Sequence, residues 1–172
     1  MTTTHHTPRL AEQPGFAPES RVWVYTCNRP LTAEEAVETQ FQVDQFCRQW
    51  TAHNQALKAA AEVFENQFLF LMVDESQAGA SGCSIDKSVH FLEQLGEHLD
   101  VDFFERMRFA WVGENGQMHF ANPAELSSAV KNQKIQPDTL MANTLVQTKR
   151  DLLEKWLQPF QQSWHRRIAA AH

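Results

Sequence analysis

The sequence predicts a single α+β domain, an antiparallel-rich mixed sheet with helices packed on one face. Three observations carry that expectation. Arg21-Val-Trp-Val-Tyr-Thr-Cys27 alternates and is rich in β-branched and aromatic residues, as a half-buried strand requires. Two pairs of apolar runs are separated by short polar connections, Glu65-Asn66-Gln67 and Glu114-Asn115-Gly116, the arrangement of a hairpin. Ile85, Val89, Leu92, Leu95 and Leu99 recur at helical spacing, with Asp86, His90, Glu93 and Glu97 on the flank.

Residues 1–20 carry Pro8, Pro14, Gly15 and Pro18 without apolar periodicity and read as a flexible N-terminal arm. The domain proper then covers 21–157, and 158–172 is a C-terminal tail. After the first strand, Thr32-Ala33-Glu34-Glu35 is a capping-box pattern that opens a helix to about Trp50. His53 falls just beyond that helix, where an imidazole satisfies terminal carbonyls. Leu57 to Phe64 and Phe68 to Val73 are two strands, and the second, apolar on both faces, belongs in the middle of the sheet.

Phe109 to Val112 and Gln117 to Phe120 form the second hairpin, for which Asn115-Gly116 predicts a type I′ turn. Asn122-Pro123-Ala124-Glu125 supplies an N-cap, a proline at the first helical position and a glutamate at the third, so a short helix runs to about Lys131. A strand within 139–146 and a helix from Thr148 that stops by Pro159 complete the chain.

Composition excludes several functions. With 172 residues and 42% hydrophobic content the chain can bury one core. The net charge of −6 comes from interspersed acids without a basic stripe, which argues against nucleic acid and anionic membranes as partners. No apolar run reaches the ~20 residues that span a bilayer, and the first residues lack a basic region followed by an apolar one. Cys27, Cys47 and Cys83 are odd in number and widely spaced, which fits neither a disulfide framework nor a cysteine zinc site. These features point to the cytoplasm. No cofactor motif is present.

The candidate site is the stretch from Asp74 to Asp86, a small-residue loop leaving a strand and entering a helix. Such a loop presents backbone N–H groups and sets Cys83 at the positive end of the helix dipole. One reading makes it a binding loop for a small anion or a protein partner, with Asp74, Glu75, Ser81, Gly82, Ser84 and Asp86 as the binding residues. A second makes Cys83 a nucleophile or redox thiol with His53 or His165 folded nearby as the base. In a third, Gly79, Gly82 and Ser84 make a tight capped turn and Cys83 is small core filler. The aromatic tail Trp164-His165 is expected to fold back over the Cys83 loop as a lid.

Several of these motifs together resemble a known family. Arg21-Val-Trp-Val-Tyr25, Trp50-Thr-Ala-His53 with Leu57-Lys58, Val73-Asp-Glu-Ser76, Gly79 to Asp86, Asn143-Thr-Leu-Val146 and Ser163-Trp-His165 with Arg167 look like a group of small bacterial proteins of unassigned function, often labelled "ABC transporter ATPase". The resemblance covers about residues 20–167 and brings no catalytic residues with it. The label implies a phosphate-cradling G-x-x-x-x-G-K-[ST] loop. Here Gly79-Ala-Ser-Gly-Cys-Ser84 has no lysine at the required place, Lys87 comes a helical turn late, and there is no Leu-Ser-Gly-Gly-Gln segment. Residues 107–157, with Gly116-Gln117, Pro123-Ala-Glu-Leu126 and Ile135-x-Pro137-Asp-Thr-Leu140, are similar to GYF-like small domains, some of which bind proline-rich peptides.

Overall fold

The computed structural model describes residues 6–172. The first half contains β1 (Arg21–Thr26), α1 (Ala33–Gln49), a ribbon of β2 (Thr51–Ala52) and β3 (Gln55–Ala56), then β4 (Lys58–Phe64), β5 (Phe68–Asp74) and α2 (Gly82–Leu99). The second half contains β6 (Phe109–Val112), β7 (Met118–Ala121), α3 (Pro123–Lys131), β8 (Leu140–Ala142), α4 (Lys149–Lys155), β9 (Leu157–Pro159) and α5 (His165–Ala171). Strands pair antiparallel throughout, in a three-stranded sheet β1-β5-β4, the β2-β3 ribbon, and a four-stranded sheet β7-β6-β8-β9. The domain is α+β, as its sequence pattern predicts.

β5 takes the central place because all seven of its residues are buried, on both faces of the strand. Leu69 and Leu71 face Val43 and Cys47 of α1 and Leu92 and Leu95 of α2. Phe68, Phe70 and Met72 face the other way, into a core shared with Ala110 of β6, Ala142 of β8, Leu152 and Trp156. Helices therefore cover one face of the first sheet and the second sheet covers its other face. Beyond the second sheet, Leu126 and Ala129 of α3 and Ala169 of α5 pack on Phe109, Trp111 and Met141. Burial of each such large apolar side chain stabilises the fold by about 1.5–3 kcal/mol.

Local signals are realised with some rearrangement. The Thr32 hydroxyl accepts from the Glu35 N–H, but the Glu35 carboxylate turns to Arg29 at 2.9 Å. Asn122 and Glu125 make both halves of their capping box. The type I′ geometry belongs to Glu65-Asn66, both at φ +54°. At the other hairpin only Gly116 has positive φ, +76°, and its N–H donates to the Gly113 carbonyl while the Gly113 N–H donates to Gln117. That is a type I turn followed by a left-handed glycine, so the type I′ expectation for Asn115-Gly116 is corrected. In α2 the buried line is Ser84, Ser88, Leu92, Leu95 and Gly96, leaving Ile85, Val89 and Leu99 half-buried beside it.

Two corrections concern the ends of the chain. The arm expected to be flexible is, over its described residues, packed: Leu10 and Ala11 are buried in the core shared by the two sheets. Side chains far along the chain satisfy its backbone. The Leu10 N–H donates to Glu62, the Ala17 N–H to Asp74, and Lys149 Nζ donates to the Gln13 and Phe16 carbonyls at 2.7 and 2.8 Å. Residues 1–5 lie outside the described residues. The expected tail is equally built in, since β9 pairs with β8 and His165 of α5 is buried.

Gly96 allows α2 to end where it does. A Cβ there would lie 2.5 Å from the Val101 carbonyl, while the Asp100 and Val101 N–H groups both donate back to the Gly96 oxygen. Gly96→Ala should therefore destabilise the protein by roughly 1–3 kcal/mol in urea unfolding, despite the better helix propensity of alanine. Equal or higher stability would show that the turn after α2 yields freely.

Candidate functional site

The loop from Asp74 to Ser84 is held together by its own polar groups. Asp74, at the end of β5, accepts from the Ser76 hydroxyl at 2.5 Å, the Ser76 N–H at 3.0 Å and the Ala17 N–H at 3.0 Å, with Lys58 Nζ 4.0 Å away. The Ser76 hydroxyl, then the Ala17 and Ser76 amides, hold its carboxyl down to about 2. Glu75 accepts from the Ala80 N–H at 3.0 Å and so closes the next turn. Ser81 caps α2, and Ser81 and Ser84 bond each other's backbone N–H. This box leaves the Gly82 and Cys83 amides as the helix-start donors outside it. Gly82, Cys83 and Asp86 are exposed, whereas Asp74 and Ser84 are buried.

The two candidate bases are placed elsewhere. His53 is exposed and sits with Asn54 in the tight turn of the β2-β3 ribbon, φ +50° and +63°, so it is not a helix-capping residue. The ribbon borders α2, where Trp50 Nε1 donates to the Ser84 carbonyl at 2.8 Å. His165 opens α5 and points into the core, 1% exposed, with Nδ1 2.5 Å from Ser163 Oγ and its ring against Trp164 and Phe109. Burial pushes its imidazole down to about 4. Its Nε2 has no partner among the described residues. Trp164 Nε1 donates to Asn143, so this aromatic pair completes the second sheet's core and forms no lid over Cys83. The structure does not assemble Cys83 with His165.

Cys83 differs from the other thiols by exposure. Cys27 and Cys47 are buried, and burial pushes both thiols up to about 12. Among the described residues no group of three or more His, Cys, Asp or Glu could hold a metal ion. No described helix is long and apolar enough to cross a membrane.

A groove of about 760 Å³ opens on the second sheet, a size typical of ligand sites. Trp111 and His119, opposite each other on β6 and β7, stack with centroids 5.8 Å apart and form its floor. Asn132 and Lys134 at the end of α3, and Glu114 in the β6-β7 turn, stand along its rim. The groove lies where α3 packs on Phe109, Trp111 and Ala121 and leaves the exposed His119, next to the β6-β7 turn, uncovered. Gly113 is part of the design: a Cβ there would lie 2.4 Å from the His119 ring. His119 Nε2 lies 3.3 Å from Asn115 Oδ1, which also accepts the Gln117 N–H.

Nucleophiles and Gly-rich loops in the sequence do not point to this groove. The usable signal is the hairpin itself, since a turn at 113–117 puts Trp111 directly opposite His119. Compared with known proteins, the chain matches no family model, no curated protein and no solved structure.

Buried His165 and latched Asp74 set the response to acid. The folded imidazole titrates near 4 against 6.5 in the open chain, so the unfolded state takes its proton first. The His165 contribution is complete above pH 6.5 and is lost as pH falls towards 4, on the order of 3 kcal/mol in all. The Asp74 contribution is complete above its usual 3.8 and is lost between there and about 2. Stability measured from pH 7 to 4 should fall in wild type and fall much less in His165→Gln; equal slopes would assign the loss to other groups.

Proposed function

We propose that the protein is a non-covalent binding module whose ligand lies in the groove between the β6-β7 hairpin and α3. The observation that carries this reading is the stacked Trp111–His119 floor, held open by Gly113 and rimmed by amide and charged side chains. An aromatic floor gives affinity to a flat or aliphatic group, and carboxamides at the rim hydrogen-bond a polar backbone. A short extended peptide meets both demands. Net charge −6 without a basic stripe speaks against nucleic acid. Three free cysteines, two of them buried, fit a reducing compartment such as the cytoplasm.

The loop 74–86 is the alternative surface for a small anion or a protein. Its acceptors at Asp74 and Glu75 and its donors at Ser81 and Ser84 are engaged internally, so an anion there would rest on the amides of Gly82 and Cys83. The exposed thiol of Cys83 at the second position of α2 favours a second reading, thiol-dependent chemistry with Cys83 as nucleophile.

Selection of peptides from a random displayed library tests the first reading. Peptides that bind the folded protein should lose about tenfold or more in affinity on His119→Ala and Lys134→Ala, and nothing on Cys83→Ala. Selected peptides insensitive to both groove variants would overturn it. For the thiol, native iodoacetamide labelling read peptide by peptide should modify Cys83 alone, with Cys27 and Cys47 reacting only on unfolding. A Cys83 that labels no faster than those two would remove the thiol reading.

A further inference from the structure

The residue that ties the groove's turn to the rest of the molecule is His6. Its Nε2 lies 2.6 Å from the Gly116 carbonyl, at the tip of the β6-β7 hairpin. Its Nδ1 lies 3.3 Å from Glu65 Oε1, at the tip of the β4-β5 hairpin. Its own carbonyl accepts the Trp156 indole N–H at 2.9 Å. A carbonyl and a carboxylate are both acceptors, so each ring nitrogen must carry hydrogen for both contacts to be favourable. A neutral imidazole has one N–H and satisfies one contact while its lone pair faces the other acceptor. The imidazolium satisfies both.

We propose that His6 is a proton-dependent clasp: as the imidazolium it locks the tips of the two hairpins together, and on losing its proton it releases one of them. The one N–H left on the neutral ring stays with the Glu65 carboxylate, a charged and therefore stronger acceptor than the Gly116 carbonyl, so the released tip is that of the β6-β7 hairpin. That tip carries Gly113, Glu114 and Asn115, which line the groove, so proton loss loosens that wall. The consequence for ligand binding rests on the groove reading above, whereas the clasp itself does not.

The charged groups on the surrounding elements agree with a cation at this position. Glu65 sits in the β4-β5 turn and meets the ring, and Glu114 lies in the β6-β7 turn. Lys155, next to Trp156, is engaged with Asp151 at 3.5 Å, and Arg9 on the same N-terminal segment is 3.7 Å from Glu62. The ring side chain is 11% exposed and Glu65 30%, which shelters the pair from full solvent screening.

Amide hydrogen exchange of the full chain between pH 5 and 8, expressed as protection after division by intrinsic rates, tests the clasp. The Gly113 and Gly116 N–H groups are bonded inside the turn and report its order. Their protection in wild type should fall by roughly three- to tenfold as pH rises across this range. His6→Gln, whose amide can still donate to Gly116, and Glu65→Gln should each give a flat profile. The clasp is overturned if wild-type protection does not change with pH, or if either variant retains the wild-type dependence. Peptide affinity is a separate readout, so failure of the groove leaves this result interpretable.

Discussion

Trp156 is the contact on which the two halves of the molecule depend. It is 1% exposed and meets Phe64, Phe68 and Phe70 edge-on, at centroid separations of 6.2, 5.2 and 5.2 Å. Those phenylalanines belong to the first sheet, while Trp156 closes α4 and leads into β9 of the second. Edge-on aromatic pairs add about 0.5–1.5 kcal/mol beyond the area they bury. The indole also carries a polar edge that needs a partner, and the His6 carbonyl provides it. One side chain therefore joins both sheets and draws the N-terminal segment over the junction.

Polar latches hold that segment in place around the junction. Apart from a short 3-10 turn over Arg9–Glu12, this segment has no regular element, and its backbone groups must be satisfied by water or side chains. Here Glu62, Asp74 and Lys149 reach from regular elements to the backbone of residues 10–17. Asp74 in particular stands at the start of the loop that the sequence marks as a binding site, and its carboxylate is taken up by Ser76 and the Ala17 N–H. The same holds for the Ser81–Ser84 box, which settles the start of α2 and leaves Cys83 exposed beside it.

The elements were legible wherever local chemistry decides them. The both-sided apolar run of β5, the Asn122–Glu125 box and the two hairpins can be read from neighbouring residues alone. The N-terminal segment was not legible, because its order comes from side chains about 52 to 136 positions away and leaves no periodicity. The tail failed for a related reason: half-buried Trp164 and buried His165 pack against Phe109, which only the fold brings near. At the site, the sequence marks the strand-to-helix loop but leaves open whether Cys83 is exposed or core filler, which the fold decides in favour of exposure; the fold likewise puts His53 in a tight turn and His165 in the core. The groove was half legible, because hairpin register implies the Trp111–His119 pair while the space beside it depends on where α3 lands.

The proposed binding surface lies on the second sheet, with the first sheet and its helices as support. The most direct test is a fragment screen of the isotopically labelled protein by heteronuclear NMR, using small aromatic amides as probes. Fragments should cluster on the groove, shifting the Trp111 indole and the Ala129 and Asn132 amides. Fragments that gather at Gly82 and Cys83 and leave those groove signals unmoved would contradict the assignment and return the binding role to the loop before α2.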